Sequence, residues 1–221
     1  MEDKQITVFC GHYGSGKTNI AVNYAIELRK HHKNVSILDL DIVNPYFRTK
    51  DSEKELKEKD IELICSSYAS SNLDIPALPS EMYAPFCKKA NYSVLDIGGD
   101  DRGAVALGRF APLIKKNGSY QMLFVVNFYR PLTQTPEEAL EVMREIETAC
   151  SLQFTGIVNN SNVGAQTEKK YIEDTFQLVQ RLCEISSLPL VMTTVRDDLS
   201  EQFDNIQNIF PLSLQKSILG G

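Results

Sequence analysis

Residues Gly11-His12-Tyr13-Gly14-Ser15-Gly16-Lys17-Thr18 match the pattern G-x-x-x-x-G-K-[ST]. They follow an apolar run, Ile6 to Cys10, that reads as a buried strand. They open a segment from Lys17 to about His31 whose Ile20, Ala21, Tyr24 and Leu28 share one helical face. That context gives the pattern physical meaning. Glycines let successive backbone N–H groups turn inward around phosphate oxygens, and the helix N-terminus adds the positive end of its dipole. Lys17 would reach the β- and γ-phosphates of a nucleotide, and the Thr18 hydroxyl would ligate Mg2+. The loop, with Asn19 just beyond it, is expected to hold a nucleoside triphosphate.

The rest of the chain alternates strand-length apolar runs with helical patterns. Strands are predicted at Val35–Leu40, Ile61–Cys65, Tyr92–Ile97, Gln121–Asn127, Phe154–Val158 and Leu190–Val195. Ser52 caps a short charged helix, Glu53 to Lys59. Thr135, Pro136 and Glu138 make a well-formed helix start with a capping box. Helices are also predicted over Glu168–Ile185 and around Leu199–Ile209. The stretch from Ser66 to Pro85 carries three prolines with little periodicity and reads as a loop excursion. Such alternation implies right-handed crossovers and an α/β fold, a three-layer doubly wound, mainly parallel sheet. Residues 1–221 are read as one nucleotide-binding domain with the 66–85 excursion. Ligands of such sheets sit at the carboxyl ends of the strands, where every motif here falls.

Two carboxylate clusters lie at those ends. Asp39-Leu40-Asp41 closes the second strand, and residues two apart in a strand share a face. Both carboxylates are candidates for positioning Mg2+ or an attacking water. Asp96-Ile97-Gly98-Gly99 closes the fourth, where an apolar strand ending in Asp suits a Mg2+ ligand. Gly99 offers an N–H that can report on the γ-phosphate, and the following Asp100 and Asp101 add charge nearby. The expected metal ligands are thus Thr18, Asp39, Asp41 and Asp96. Arg48, Arg102 and Arg109 are candidates for stabilising transition-state charge.

Composition narrows the alternatives. The 221 residues carry 23 Lys+Arg against 29 Asp+Glu, a formal charge of −6 that disfavours non-specific binding to nucleic acid or an anionic membrane. No apolar run approaches the length of a membrane span, and the N-terminus lacks a secretory pattern. Five scattered cysteines form no Cys-x-x-Cys pair, which suits reduced thiols in a cytoplasmic protein.

These residues resemble the MinD/ParA/Mrp-like P-loop ATPases, within the class shared with signal recognition and nitrogenase iron proteins. The likeness runs through the loop at 11–18, Val35 to Asp41, Asp96-x-x-Gly99, and Gly156-Ile157-Val158-Asn159-Asn160. It implies ATP hydrolysis linked to dimerisation or to binding of a protein partner, with Lys17 and Asp41 as catalytic residues and Asp41 positioning the water. The group carries a signature lysine where this chain has His12, which sets nucleotide-bridged homodimer formation apart from the rest of the expectation. Asn159-Asn160-Ser161-Asn162 stands where guanine-specific relatives carry N-K-x-D. Asn162 accepts poorly from two guanine donors, whereas Asn159 or Asn160 suits adenine.

The expected function is therefore an Mg2+-dependent ATP-binding switch with slow hydrolysis, acting on a protein partner. A small-molecule kinase or ligase is the alternative, with 66–85 as an acceptor lid bearing Tyr68 and Tyr83. A DNA- or membrane-surface positioning protein is a third, disfavoured by the net charge.

Overall fold

The computed structural model describes residues 3–40, 52–65, 80–87, 91–203, 206 and 208–214. Among these, eight strands form one sheet: β1 (Ile6–Cys10), β2 (Val35–Leu40), β3 (Glu62–Cys65), β4 (Tyr92–Ile97), β5 (Tyr120–Val126), β6 (Gly156–Asn159), β7 (Leu190–Arg196) and β8 (Ile209–Leu212). Their order is β3-β2-β4-β1-β5-β6-β7-β8, and every pairing is parallel. The helices are α1 (Lys17–His31), α2 (Glu53–Glu58), α3 (Ala84–Cys87), α4 (Asp101–Gly108), α5 (Ala111–Asn117), α6 (Pro136–Cys150), α7 (Lys169–Glu173) and α8 (Phe176–Ser186).

The strands are apolar on both faces because both faces are covered. On one, Phe9, Ile37, Val94 and Val125 pack with Ile20, Ala21, Ala25 and Leu28 of α1 and Leu56 of α2. On the other, Val8, Leu38, Leu95 and Phe124 pack with Leu107 of α4, Ile114 of α5, Met143 of α6 and Leu182 of α8. This is the expected three-layer α/β architecture. The α6 capping box forms as read: Thr135 Oγ1 accepts from Glu138 N at 3.2 Å, and Glu138 Oε2 accepts from Thr135 N at 3.2 Å.

Several elements differ from expectation. The single helix over Glu168–Ile185 is two, α7 and α8, broken at Asp174 and Thr175. There Thr175 Oγ1 donates to Ile172 O at 2.7 Å and accepts from Asn159 Nδ2 at 3.1 Å, so the hydroxyl serves the sheet end. The final helical stretch is a 3-10 helix, Asp197–Phe203, followed by β8, whose backbone pairs along β7. Strand pairing with β5 shifts β6 to Gly156–Asn159. Between β4 and β5 stand α4 and α5, which the sequence reading had not assigned. Of the 66–85 excursion, 66–79 lie outside the described residues. Ser80–Tyr83 is a 3-10 helix leading into α3, with Tyr83 and Phe86 against Phe110 at ring separations of 5.1 and 5.0 Å. Tyr83 is thus core packing, a correction to its expected place in a lid.

The connection leaving β1 runs to β2 on one side of it, and the connection leaving β5 runs to β6 on the other. The strand order therefore reverses between β1 and β5, where crevices open in such sheets. Among the described residues, no helix is long and apolar enough to cross a membrane.

Candidate functional site

Beyond Cys10 the chain turns through Gly11–Gly16 before α1 begins. Gly16 is the N-cap residue, in the left-handed region at φ 89°. A Cβ there would stand 2.2 Å from Asn160 Nδ2, so an L side chain is both strained and excluded. Asn160 Nδ2 donates to Ser15 O at 2.6 Å, while its Oδ1 accepts from Thr194 Oγ1 at 2.5 Å. One buried amide thereby ties the loop to the ends of β6 and β7.

Lys17 is only 6% exposed, and its Nζ donates to His12 O at 3.0 Å. Ser15 N donates to the same carbonyl at 3.2 Å. An ammonium resting on its own loop's carbonyl is one that a phosphate oxygen can take over, as the stronger charge-assisted bond. The His12 ring lies on Tyr13 O through Nδ1 at 3.2 Å, and Tyr13 is 57% exposed. Ser15 Oγ is buried with no hydrogen-bond partner among the described residues. A hydroxyl so placed carries a desolvation cost that a ligand oxygen would relieve.

Gly99, in the turn after β4, lies directly against the loop. A Cβ there would stand 2.5 Å from Tyr13 N and 2.9 Å from Lys17 Nζ. Beside it, register sets Asp39 of β2 opposite Asp96 of β4. Alternation puts both on the α1 face with Ile37 and Val94, and they are 5% and 1% exposed. Adjacent buried carboxylates call for positive charge beside them. With the Thr18 hydroxyl in the first turn of α1, the donors are all oxygen, the set that suits Mg2+. The glycine cradle, the buried Ser15 hydroxyl and this oxygen set fit a magnesium–triphosphate group. Asp41 and Arg48 lie outside the described residues.

A cleft of about 510 Å3 opens over the loop and Gly99, lined there by Tyr13, Gly14, Gly16, Lys17, Thr18, Asn19 and Gly99; Asp39 and Asp96 are not part of its lining. Such a volume is in the range of small-molecule sites. Elsewhere its wall carries Ile172, Val195, Leu212 and Leu214, apolar side chains suited to the faces of a base, beside the polar Asn160, Asn162, Thr167 and Thr194. Asn23 of α1 holds that wall in place, donating from Nδ2 to Ser213 O and accepting at Oδ1 from Ser213 N, each at 3.0 Å. Arg196 at the rim pairs with Asp198, Nε to Oδ1 at 2.5 Å and Nη2 to Oδ2 at 2.8 Å. The hydrogen bonds from Arg196 hold the Asp198 carboxyl below its usual range.

Other predicted residues fall elsewhere. Asn159 does not line the cleft: it is fully buried, donating to Thr175 and accepting at Oδ1 from Ser161 N and Oγ at 3.2 and 2.7 Å. Asp100 caps α4, accepting from Gly103 N at 3.0 Å. Arg102 and Arg109 are exposed on and after α4 and do not line the cleft. Arg130, in the turn after β5, does line it, as do Leu212 and Leu214. Sequence reading missed these three. Arg130 lies outside any motif, and the leucines follow a stretch read as helix. Cys10 touches the loop, but burial pushes its thiol well up, so it is chemically quiet.

No family model matches the chain, and no curated protein matches it in sequence. Solved structures do. The chain is similar to the cell division protein FtsY of Thermotoga maritima (TM-score 0.59, 14% identity), covering 88% of this chain and 62% of that one. It is similar to the 54 kDa signal recognition particle protein of Aeropyrum pernix in complex with GDP (TM-score 0.55, 13% identity), covering 87% of this chain and 41% of that one. It is also similar to FlhF complexed with GTP and Mg2+ (TM-score 0.52, 14% identity), covering 87% of this chain and 66% of that one. The chain thus spans 62% and 41% of the first two proteins' lengths. These neighbours form a branch related to, but distinct from, the MinD/ParA group expected from the motifs. What the likeness shows is what both branches share: the chain has the P-loop nucleoside triphosphatase fold.

Proposed function

We propose that this protein binds a magnesium–nucleoside triphosphate, hydrolyses it slowly, and uses the change to switch its affinity for a protein partner. One observation carries the reading. The Gly99 backbone sits against both Tyr13 N and Lys17 Nζ, closer than a side chain would permit. Phosphate held by the loop would therefore be felt at once by the β4–α4 turn, and order in such a turn is a common nucleotide signal. The exposed Val105 of α4 gives a partner an apolar foothold on the helix that follows this turn. Thr18, Asp39 and Asp96 would hold Mg2+, which supplies charge neutralisation on the phosphates.

We assign ATP as the nucleotide. Among the described residues lining the cleft none is acidic, and reading guanine calls for a carboxylate that accepts from two donors. Asn162 occupies that position with both amide atoms engaged: Nδ2 donates to Asn160 O at 2.7 Å and Oδ1 accepts from Gly164 N at 3.1 Å. Asp41 is assigned the hydrolytic water on the family resemblance alone.

Calorimetric titration with ATP and GTP, each with Mg2+, tests the assignment. ATP should bind at least 10-fold more tightly, and Lys17→Ala should abolish binding. Phosphate release should proceed with no acceptor added, and Asp41→Asn should retain ATP while losing turnover. Undiminished turnover by Asp41→Asn would remove the role given to that residue. ADP formation strictly dependent on an added metabolite would overturn the switch in favour of a kinase.

A further inference from the structure

Among the described residues, two cations stand at the phosphate-loop end of the cleft, Lys17 of the motif and Arg130 outside it. Lys17 stands on the β4 side, against Gly99. Arg130 stands on the β5 side: a Cβ placed on Gly14 would lie 3.8 Å from its Nε and 3.9 Å from its Cδ. Resting on the proposed triphosphate site, we propose that Arg130 is a catalytic residue supplied in cis, donating hydrogen bonds to the β-phosphate as the γ-phosphoryl group leaves.

The turn that carries it is unusually well held. Arg130 N donates to Asn127 O at 3.0 Å, and Thr133 N returns to Arg130 O at 3.3 Å. Thr133 Oγ1 donates to Asn127 O at 2.9 Å. The fully buried Asn127 accepts at Oδ1 from Tyr129 N at 3.0 Å and from Asn162 N at 3.3 Å, and its Nδ2 donates to Asn162 O at 3.2 Å. Phe128 N donates to Ser161 Oγ at 3.1 Å. Pro131 restricts the backbone of Arg130 to extended conformations. Leu132 follows at φ 65°, a left-handed conformation costly for a leucine and tolerated where surroundings over-determine it. This turn is fastened to the β6 loop, which through Asn160 fastens the phosphate loop. The backbone from which Arg130 projects is therefore fixed relative to the phosphate loop.

The chemistry of an arginine suits that place. Among the described residues, Arg29, Arg181 and Arg196 are paired with carboxylates, whereas Arg130, like Arg102, Arg109 and Arg144, has no carboxylate within ion-pair distance; of these four only Arg130 lines the cleft. Gly14 belongs to the part of the loop whose amides cradle the inner phosphates, while the motif lysine reaches the β- and γ-phosphates. In hydrolysis, water oxygen bonds to the γ-phosphorus as the bond from that phosphorus to the bridging oxygen breaks. The bridging oxygen keeps the electron pair and leaves on the diphosphate, and the water's proton ends on the released phosphate or in solvent. Charge therefore grows on the β-phosphate as the bond breaks. A fork of N–H donors over Gly14 meets that charge, and bidentate geometry is what distinguishes it from a lysine.

The test separates this role from the nucleotide reading beneath it. Failure of the wild-type chain to bind Mg·ATP in calorimetry would overturn both. With wild-type binding established, Arg130→Ala should keep ATP affinity within about 3-fold and an unchanged thermal melt, while kcat falls by about 10²-fold or more, the direction set by arginines of this kind. Arg130→Lys should recover little of the loss, and added guanidinium ion should rescue Arg130→Ala but not Lys17→Ala. Equal kcat in Arg130→Ala and wild type, or a loss confined to KM, would overturn the proposal.

Discussion

At the scale of single residues, the site is built by close approach more than by charge. Gly99 has no left-handed requirement, yet a methyl group on it would enter the space of Tyr13 N and Lys17 Nζ. Gly99→Ala should therefore displace the loop and weaken Mg·ATP binding by roughly 10-fold or more, an order set by the few kcal/mol that backbone overlap costs. The circular-dichroism spectrum should stay that of wild type; titration calorimetry checks the first outcome. This sort of residue is half legible in a sequence. The loop glycines and Lys17 announce themselves by spacing, and Asp39 and Asp96 by ending apolar strands. Asn160 was singled out for a base, but its amide is engaged by Ser15 O and Thr194. An Asn reads alike whether it faces ligand or loop, because its two donors and two acceptors suit either.

Among elements, legibility followed the hydrogen bonds. Strands β1, β2 and β4 and helix α1 lie where periodicity put them, since burial on a repeating face decides each one. Helix α6 also announced its start, because the cap is made from residues three apart. Thr135→Ala removes the acceptor for Glu138 N and should cost about 1 kcal/mol. A urea titration should show the lower midpoint with an unchanged slope, and Thr135→Ser should restore most of it. The illegible elements are those set by distant partners. Thr175 splits α7 from α8 by serving Asn159, and β8 is a strand because β7 lies beside it. Neither cause is visible within a short window of sequence.

For the molecule as a whole, the proposed ligand and the fold's stability are one measurement. A ligand that binds only the folded chain stabilises it by about 2.7 kcal/mol at 100 times its Kd. For a chain of this size each kcal/mol raises Tm by about 2–4 °C. Mg·ATP at that concentration should thus raise Tm by roughly 5–10 °C in a thermal scan, GTP distinctly less, and Lys17→Ala should abolish the shift. The same fold also sets an order of assembly. Strand β1 (to Cys10) lies between β4 and β5, so it gains both neighbours only once the chain has been made through β5, at Tyr120–Val126. The base-side wall waits longer still, because Asn23 meets Ser213 across 190 residues of chain. On a ribosome, the phosphate loop would emerge early and stay without its far wall until that late segment arrived. Tight nucleotide capture by the proposed site would then wait for synthesis to pass Ser213, because only then can Asn23 fasten the far wall.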